Sequence, residues 1–132
     1  MLIDGMRNIE IASSVEVRQS SHHGRGLFAA VSFAAGDIIG SYPLLILSEK
    51  DTLAVRETRL FHYVFYVDEN ADGQMRAAVA FGPISMCNHS PDANADFSVD
   101  AKSQLVTLSA RQALSADTEI LIDYEEFAEA TF

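Results

Sequence analysis

What most constrains this chain is that its apolar and β-branched stretches are short, and turn-forming residues cut them off one after another. Ile9 and Ile11, then Val15 and Val17, alternate with other residues and read as half-buried strands. Ala35-Gly36-Asp37 is a turn leading into Ile38-Ile39-Gly40-Ser41-Tyr42 and Leu44-Leu45-Ile46-Leu47. A break is expected at Pro43, since proline cannot donate to a ladder and favours an edge or a bend. Tyr63-Val64-Phe65-Tyr66-Val67 is strongly β-prone, and Asp68-Glu69-Asn70-Ala71-Asp72-Gly73 is an acidic turn joining it to another strand. Leu105, Thr107 and Ser109 oppose Val106 and Leu108, as in a strand, and Ala116-Asp117-Thr118 turns the chain into Glu119-Ile120-Leu121-Ile122-Asp123-Tyr124. One helix start is visible: Ser48-Glu49-Lys50-Asp51 has the capping pattern in which a hydroxyl accepts from the backbone three residues on. Leu53, Leu60, Phe61 and Val64 can share one face of that helix, which is expected to end before Tyr63. The pattern is that of a mainly β domain with one or two short helices.

No repeat, low-complexity tract or Pro/Ser-rich linker divides residues 1–132, so a single domain is expected, long enough for one adequate core. Hydrophobic residues make up 48% of the chain, which argues against disorder. No apolar run approaches the ~18 residues a membrane span needs. The start, Met1-Leu2-Ile3-Asp4-Gly5, carries acid and no apolar signal-peptide core. The single cysteine, Cys87, excludes an internal disulfide and a cysteine-built zinc site, and fits a reducing cytoplasm, or a nucleus in a eukaryotic or viral setting. Nine Lys plus Arg against nineteen Asp plus Glu give a formal charge of -10. Such a surface repels phosphate backbones, so nucleic acid is not expected as a direct ligand. A basic protein is the electrostatically natural partner, although an acidic surface also serves plain solubility.

The polar residues gather in three places. The first is Ser21-His22-His23-Gly24-Arg25-Gly26, where two glycines let the backbone turn or approach a ligand closely. Adjacent histidines with no acid or thiol near them in sequence are usually solvated, so no metal site is expected. The second, Asn88-His89-Ser90-Pro91-Asp92-Ala93-Asn94, follows the apolar run Ala77-Ala78-Val79-Ala80 and the segment Phe81–Cys87. Its short polar side chains bond readily to nearby backbone, and a structural turn is the plain alternative to a site. The third is Asp123-Tyr124. No Cys–His nucleophile pair is expected from Cys87 and His89. No G-x-S-x-G elbow, P-loop, H-E-x-x-H or calcium loop occurs.

Taken in order, these segments resemble the SET domain of protein lysine methyltransferases. The matching stretches are His23-Gly24-Arg25-Gly26-Leu27-Phe28-Ala29, Ala35-Gly36-Asp37-Ile38-Ile39, Tyr63-Val64-Phe65, Asn88 to Asn94, and Glu119-Ile120-Leu121-Ile122-Asp123-Tyr124. They span about residues 15 to 127, and the size is similar to that of minimal viral and bacterial SET proteins. The resemblance implies a β-clip-like fold of several small sheets, with a pseudoknot made by the Asn88 segment and the Tyr124 strand. It implies S-adenosyl-L-methionine as cofactor and N-methylation of a lysine in a protein substrate. By the same resemblance, Gly24, Arg25 and Gly26 cradle the methionine part, and Asn88 holds its ammonium or carboxylate end. The His89 backbone contacts the adenine, and Phe127 stacks on it. Tyr124 corresponds to the catalytic tyrosine and also borders the cofactor, while Tyr63 and Ile122 line the lysine channel. Without the resemblance, both tyrosines read as buried structural residues.

Two departures bear on this reading. The family usually has Cys and Pro after Asn-His-Ser, where this chain has Pro91 and Ala93. The residue two before the catalytic tyrosine is Ile122 instead of Phe or Tyr, which leaves the number of methyl groups open. Little chain follows Tyr124 to close over the adenine, which leaves room for a second subunit of a homodimer to complete the site. The altered turn also keeps open an inactive SET-like module that binds a basic peptide or the cofactor. A β-rich structural protein without a ligand is the remaining reading.

Overall fold

The structure is a computed structural model, described for residues 13–22 and 24–124. Two small sheets carry it. Strands β1 (Val15–Gln19), β2 (Arg25–Ala29), β9 (Glu119–Ile122) and β6 (Asn88–His89) form the first, in the order β1-β2-β9-β6. The second has the order β4-β5-β3-β8-β7, from β3 (Ile38–Ile46), β4 (Val64–Glu69), β5 (Met75–Ala80), β7 (Ala95–Asp100) and β8 (Leu105–Ala110). Most pairings are antiparallel, but β6 runs parallel to β9, with Asn88 opposite Leu121 and His89 opposite Ile122. Helix α1 (Glu49–Arg56) and two 3-10 segments, Arg59–Tyr63 and Pro83–Met86, complete the described elements. This is the mainly β architecture expected, and Ile9 and Ile11 lie outside the described residues.

The alternation that marked β8 holds: Val106, Leu108 and Ala110 are buried, while Leu105 faces solvent. The core joins Leu27 of β2, Ile120 and Ile122 of β9, Phe65 of β4, Val106 and Leu108 of β8, and Ile84 from the second 3-10 segment, all at 0–1% exposure. Ala77 and Ala78 are adjacent yet both buried, because β5 is covered on both faces. On the helix side, the buried Thr52 hydroxyl accepts the Ala77 N–H at 3.1 Å.

Three local expectations are corrected. The chain does not break at Pro43, since β3 runs through it as one nine-residue strand. Pro43 sits where β3 passes from pairing with β8 (Ile38 to Pro43) to pairing with β5 (Leu44 to Ile46). Its carbonyl accepts from Phe81 just past the end of β5, so the missing donor falls at a ladder terminus, where it costs little. Leu53, Leu60, Phe61 and Val64 do not share a helical face. The helix capped by Ser48 ends at Arg56, a 3-10 turn reaches Tyr63, and Leu53 and Leu60 are exposed. The last strand stops at Ile122 instead of reaching Tyr124. In addition, β7 was not expected, although Ala95, Phe97 and Val99 alternate with polar residues there.

Candidate active site

Strand β9 is the hinge of the site because it pairs with β2 on one side and β6 on the other. Asn94 holds it in place: its amide donates to the Glu119 carbonyl and accepts from Leu121 N–H, both at 2.9 Å. Pro91 lies in the turn between β6 and Asn94, in a bend closed by Asp92 N–H donating to the Ser90 hydroxyl. Asn94 therefore keeps its place, with its own N–H on the Leu121 carbonyl at 3.1 Å. Ala93 is buried beneath this turn.

The three polar segments meet at the start of β6. Asn88 Nδ2 donates to the Arg25 carbonyl at 3.0 Å and to Glu119 Oε2 at 2.8 Å. One residue earlier, the Cys87 carbonyl accepts from the Tyr124 hydroxyl at 3.3 Å. The Tyr124 N–H donates to His89 Nδ1 at 3.2 Å, so the ring presents that nitrogen as an acceptor. Tyr124 stacks at 5.3 Å from Phe65 and 6.3 Å from Phe97, ring centre to ring centre. These two rings also meet each other edge-on at 5.3 Å. Burial pushes the Tyr124 phenol well above the usual tyrosine range, with smaller contributions from Cys87 and Tyr63. The phenol is thus a neutral hydrogen-bonding group at physiological pH. The Cys87 thiol is likewise driven up by burial, and secondarily by the charge of Glu119, so no thiolate nucleophile is available there.

The comparison with known proteins identifies the family. A family model described as the SET domain matches residues 24–125. The chain belongs to the SET domain family. Among solved structures of similar fold is one from Plasmodium falciparum, named for a histone methyltransferase, at 20% identity and a TM-score of 0.66. That match covers 88% of this chain and 96% of the other. The Neurospora SET domain protein DIM-5, a histone lysine methyltransferase, has a TM-score of 0.65 at 20% identity, over 83% of this chain and 51% of that one. A humanized mutant of the Chaetomium thermophilum Polycomb Repressive Complex 2 has a TM-score of 0.65 at 19% identity, over 86% and 15%. No curated protein matches the chain by sequence.

Within this SET domain, Gly24 has φ +53°, a left-handed conformation that favours glycine, and a Cβ there would meet nothing within 4 Å. Gly26 is needed for a different reason: its Cβ would lie 2.1 Å from Glu119 Oε2 and 2.9 Å from Asn88 Nδ2. The glycine–arginine–glycine segment is thereby brought against Asn88. Tyr63 ends the 3-10 segment, exposed and near enough to Tyr124 to influence its proton. Ile122 is fully buried within the core. His23 and Phe127 lie outside the described residues.

Sequence reasoning missed Glu119, Phe65 and Phe97. Glu119 opens a β-strand, and nothing near it in sequence marks it as buried. In the fold its side chain is only 9% exposed and accepts from the Ser20 hydroxyl at 2.7 and 2.9 Å. His22 Nδ1 lies 3.2 Å from Glu119 Oε1, so this histidine does have an acidic neighbour, one supplied from 97 residues away.

Proposed function

We propose that this SET domain transfers a methyl group from S-adenosylmethionine to the side-chain nitrogen of a lysine in a basic protein. One observation carries the reading: the glycine-flanked Arg25 and the phenol of Tyr124 are tied to consecutive residues, Asn88 and Cys87. On this reading a cofactor-holding segment and a catalytic hydroxyl would lie side by side. The residues fit the amino-acid end of such a cofactor, with the backbone open at Gly24 and a polar amide at Asn88 beside a nearly buried carboxylate. Gly24, Arg25, Gly26, Asn88 and the His89 backbone would hold the cofactor. S-adenosylmethionine supplies a methyl already activated by a sulfonium, so the demanding chemistry is the cofactor's.

What the chain contributes is alignment and proton control. Free lysine has a pKa of about 10.4, so its amine must arrive or become neutral before it can attack. Desolvation of the amine on entering the site would favour that loss. The Tyr124 hydroxyl commits its hydrogen to the Cys87 carbonyl and keeps lone pairs to accept an amine N–H. Because burial holds the phenol neutral, Tyr124 orients the amine without serving as a base at neutral pH. The charge of -10 raises the encounter rate with a basic substrate.

The test is label transfer from methyl-labelled S-adenosylmethionine to a basic protein mixture, run beside calorimetric binding. Tyr124→Phe is expected to keep cofactor affinity and lose most turnover. Binding without transfer in the wild-type chain would instead mark an inactive module, and equal turnover in the variant would remove Tyr124 from this role.

A further inference from the structure

We propose that the imidazole of His89 is a positioning residue, one that fixes the backbone of Tyr124 so that its phenol is presented to the reacting amine. The inference rests on the function proposed above, in which only the backbone of His89 has a part. Strand β9 ends at Ile122, whose carbonyl accepts from the Ser90 N–H at 3.0 Å, and Tyr124 stands two residues beyond that end. Its N–H is held by a side chain instead, donating to His89 Nδ1 at 3.2 Å. At the other end of the same residue, the hydroxyl donates to the Cys87 carbonyl at 3.3 Å. Tyr124 is thus pinned at its two ends by the residues on either side of Asn88.

The remaining contacts of Tyr124 are less exacting. Ring pairs such as those with Phe65 and Phe97 tolerate centroid separations of about 4.5–7 Å, which leaves the phenol room to shift. The backbone bond therefore carries the register of the phenol, and a misplacement of about 1 Å costs about a hundredfold in a reaction that depends on alignment. An imidazole nitrogen that accepts carries no hydrogen, so the proton of the neutral ring sits on Nε2. Asp123 Oδ1 lies 3.6 Å from the same Nδ1, beyond hydrogen-bond length, and the Tyr124 N–H is the nearer partner. The His89 side chain is 39% exposed, so it is not needed to fill the core. What it supplies is the hydrogen bond.

The first measurement needs neither cofactor nor substrate. Nitrogen-15 spectra of the histidine rings in the full chain, taken at about pH 9 where a free imidazole is neutral, are expected to show His89 as the Nε2–H tautomer. The second compares two variants. His89→Asn places an amide oxygen where Nδ1 stands, and His89→Leu keeps the size of asparagine without an acceptor. In label transfer at saturating S-adenosylmethionine, His89→Leu is expected to lower turnover about thirtyfold and His89→Asn less than about threefold. Calorimetric affinity for S-adenosylmethionine should change less than about threefold in both, because the backbone at this position is retained. Urea denaturation checks that both fold, and the tautomer is read on the wild-type chain whether they do or not. Equal losses in the two variants would assign the ring a packing role, and no loss in either would assign it none. Either result, or an Nδ1–H tautomer, overturns the proposal. Wild-type protein that shows the Nε2–H tautomer yet transfers no methyl group would instead overturn the function on which the proposal rests.

Discussion

The tightest spot in the site gives its sharpest prediction, Gly26→Ala. An added Cβ would stand 2.1 Å from Glu119 Oε2, against the 3.5 Å or so of a comfortable contact, so the carboxylate must retreat by more than 1 Å. Retreat breaks the 2.8 Å bond from Asn88 and the 2.9 Å bond from Ser20 to that oxygen. Hydrogen bonds to a charged group are worth about 1.5–3 kcal/mol each, and partial rehydration of Glu119 along the exposed His22 returns part of the loss. Replacing glycine within a strand returns about 0.5–1 kcal/mol more. The net cost expected is about 2 kcal/mol, a fall in Tm of roughly 8 °C for a domain of this size. Urea denaturation of Gly26→Ala, Glu119→Ala and the double variant measures it as a cycle. With Glu119 truncated the worst collision is gone and the nearest remaining approach is the 2.9 Å one to Asn88. Gly26→Ala should then cost less than about 0.5 kcal/mol in that background. Additive costs would refute the reasoning, since they would place the penalty in the backbone of β2 and not in the carboxylate.

Three further outcomes follow from single interactions. Cys87 is buried and its thiol stays protonated, so iodoacetamide should leave it unmodified in the native protein and label it fully in urea, as read by mass spectrometry. Burial raises both Cys87 and Tyr124, so the folded state holds protons that the unfolded chain releases first. Their contribution to stability is complete below about pH 8.5 and falls above it by up to about 1.4 kcal/mol per pH unit for each group. Denaturation from pH 7 to 11 checks this, and Cys87→Ala should abolish the part that begins near pH 8.5. Asn94→Ala removes two backbone-directed bonds from β9 and should cost about 2–3 kcal/mol in urea denaturation; a loss under 0.5 kcal/mol would show that the parallel pairing with β6 holds the strand by itself.

The limits of the sequence reading follow from what each signal measures. Period-two alternation reports burial of one sheet face, which is why β8 could be recognised from Leu105 to Ser109. It fails where both faces are covered, as at Ala77 and Ala78, and along β7 the alternation is present but Asp96 and Asp100 lower the strand propensity. Pro43 misled because a missing donor breaks a strand only where a partner needs it, and partner exchange along β3 cannot be seen in one strand's residues. The same reasoning separates the two halves of the candidate site. Gly24, Asn88 and Tyr124 could be singled out because the family resemblance supplied them in order; taken locally they read as turn residues and a buried structural tyrosine. Glu119 could not, since a glutamate at the start of a strand is ordinarily solvated. Its burial exists only because β9 enters between β2 and β6, bringing Ser20, His22 and Asn88 around one carboxylate. The candidate ligand residues were thus carried by the resemblance, whereas the surroundings of Glu119 are set by strand order. For that reason, substitutions at Gly26 and Glu119 probe the assembly of this site more directly than substitutions at Tyr124.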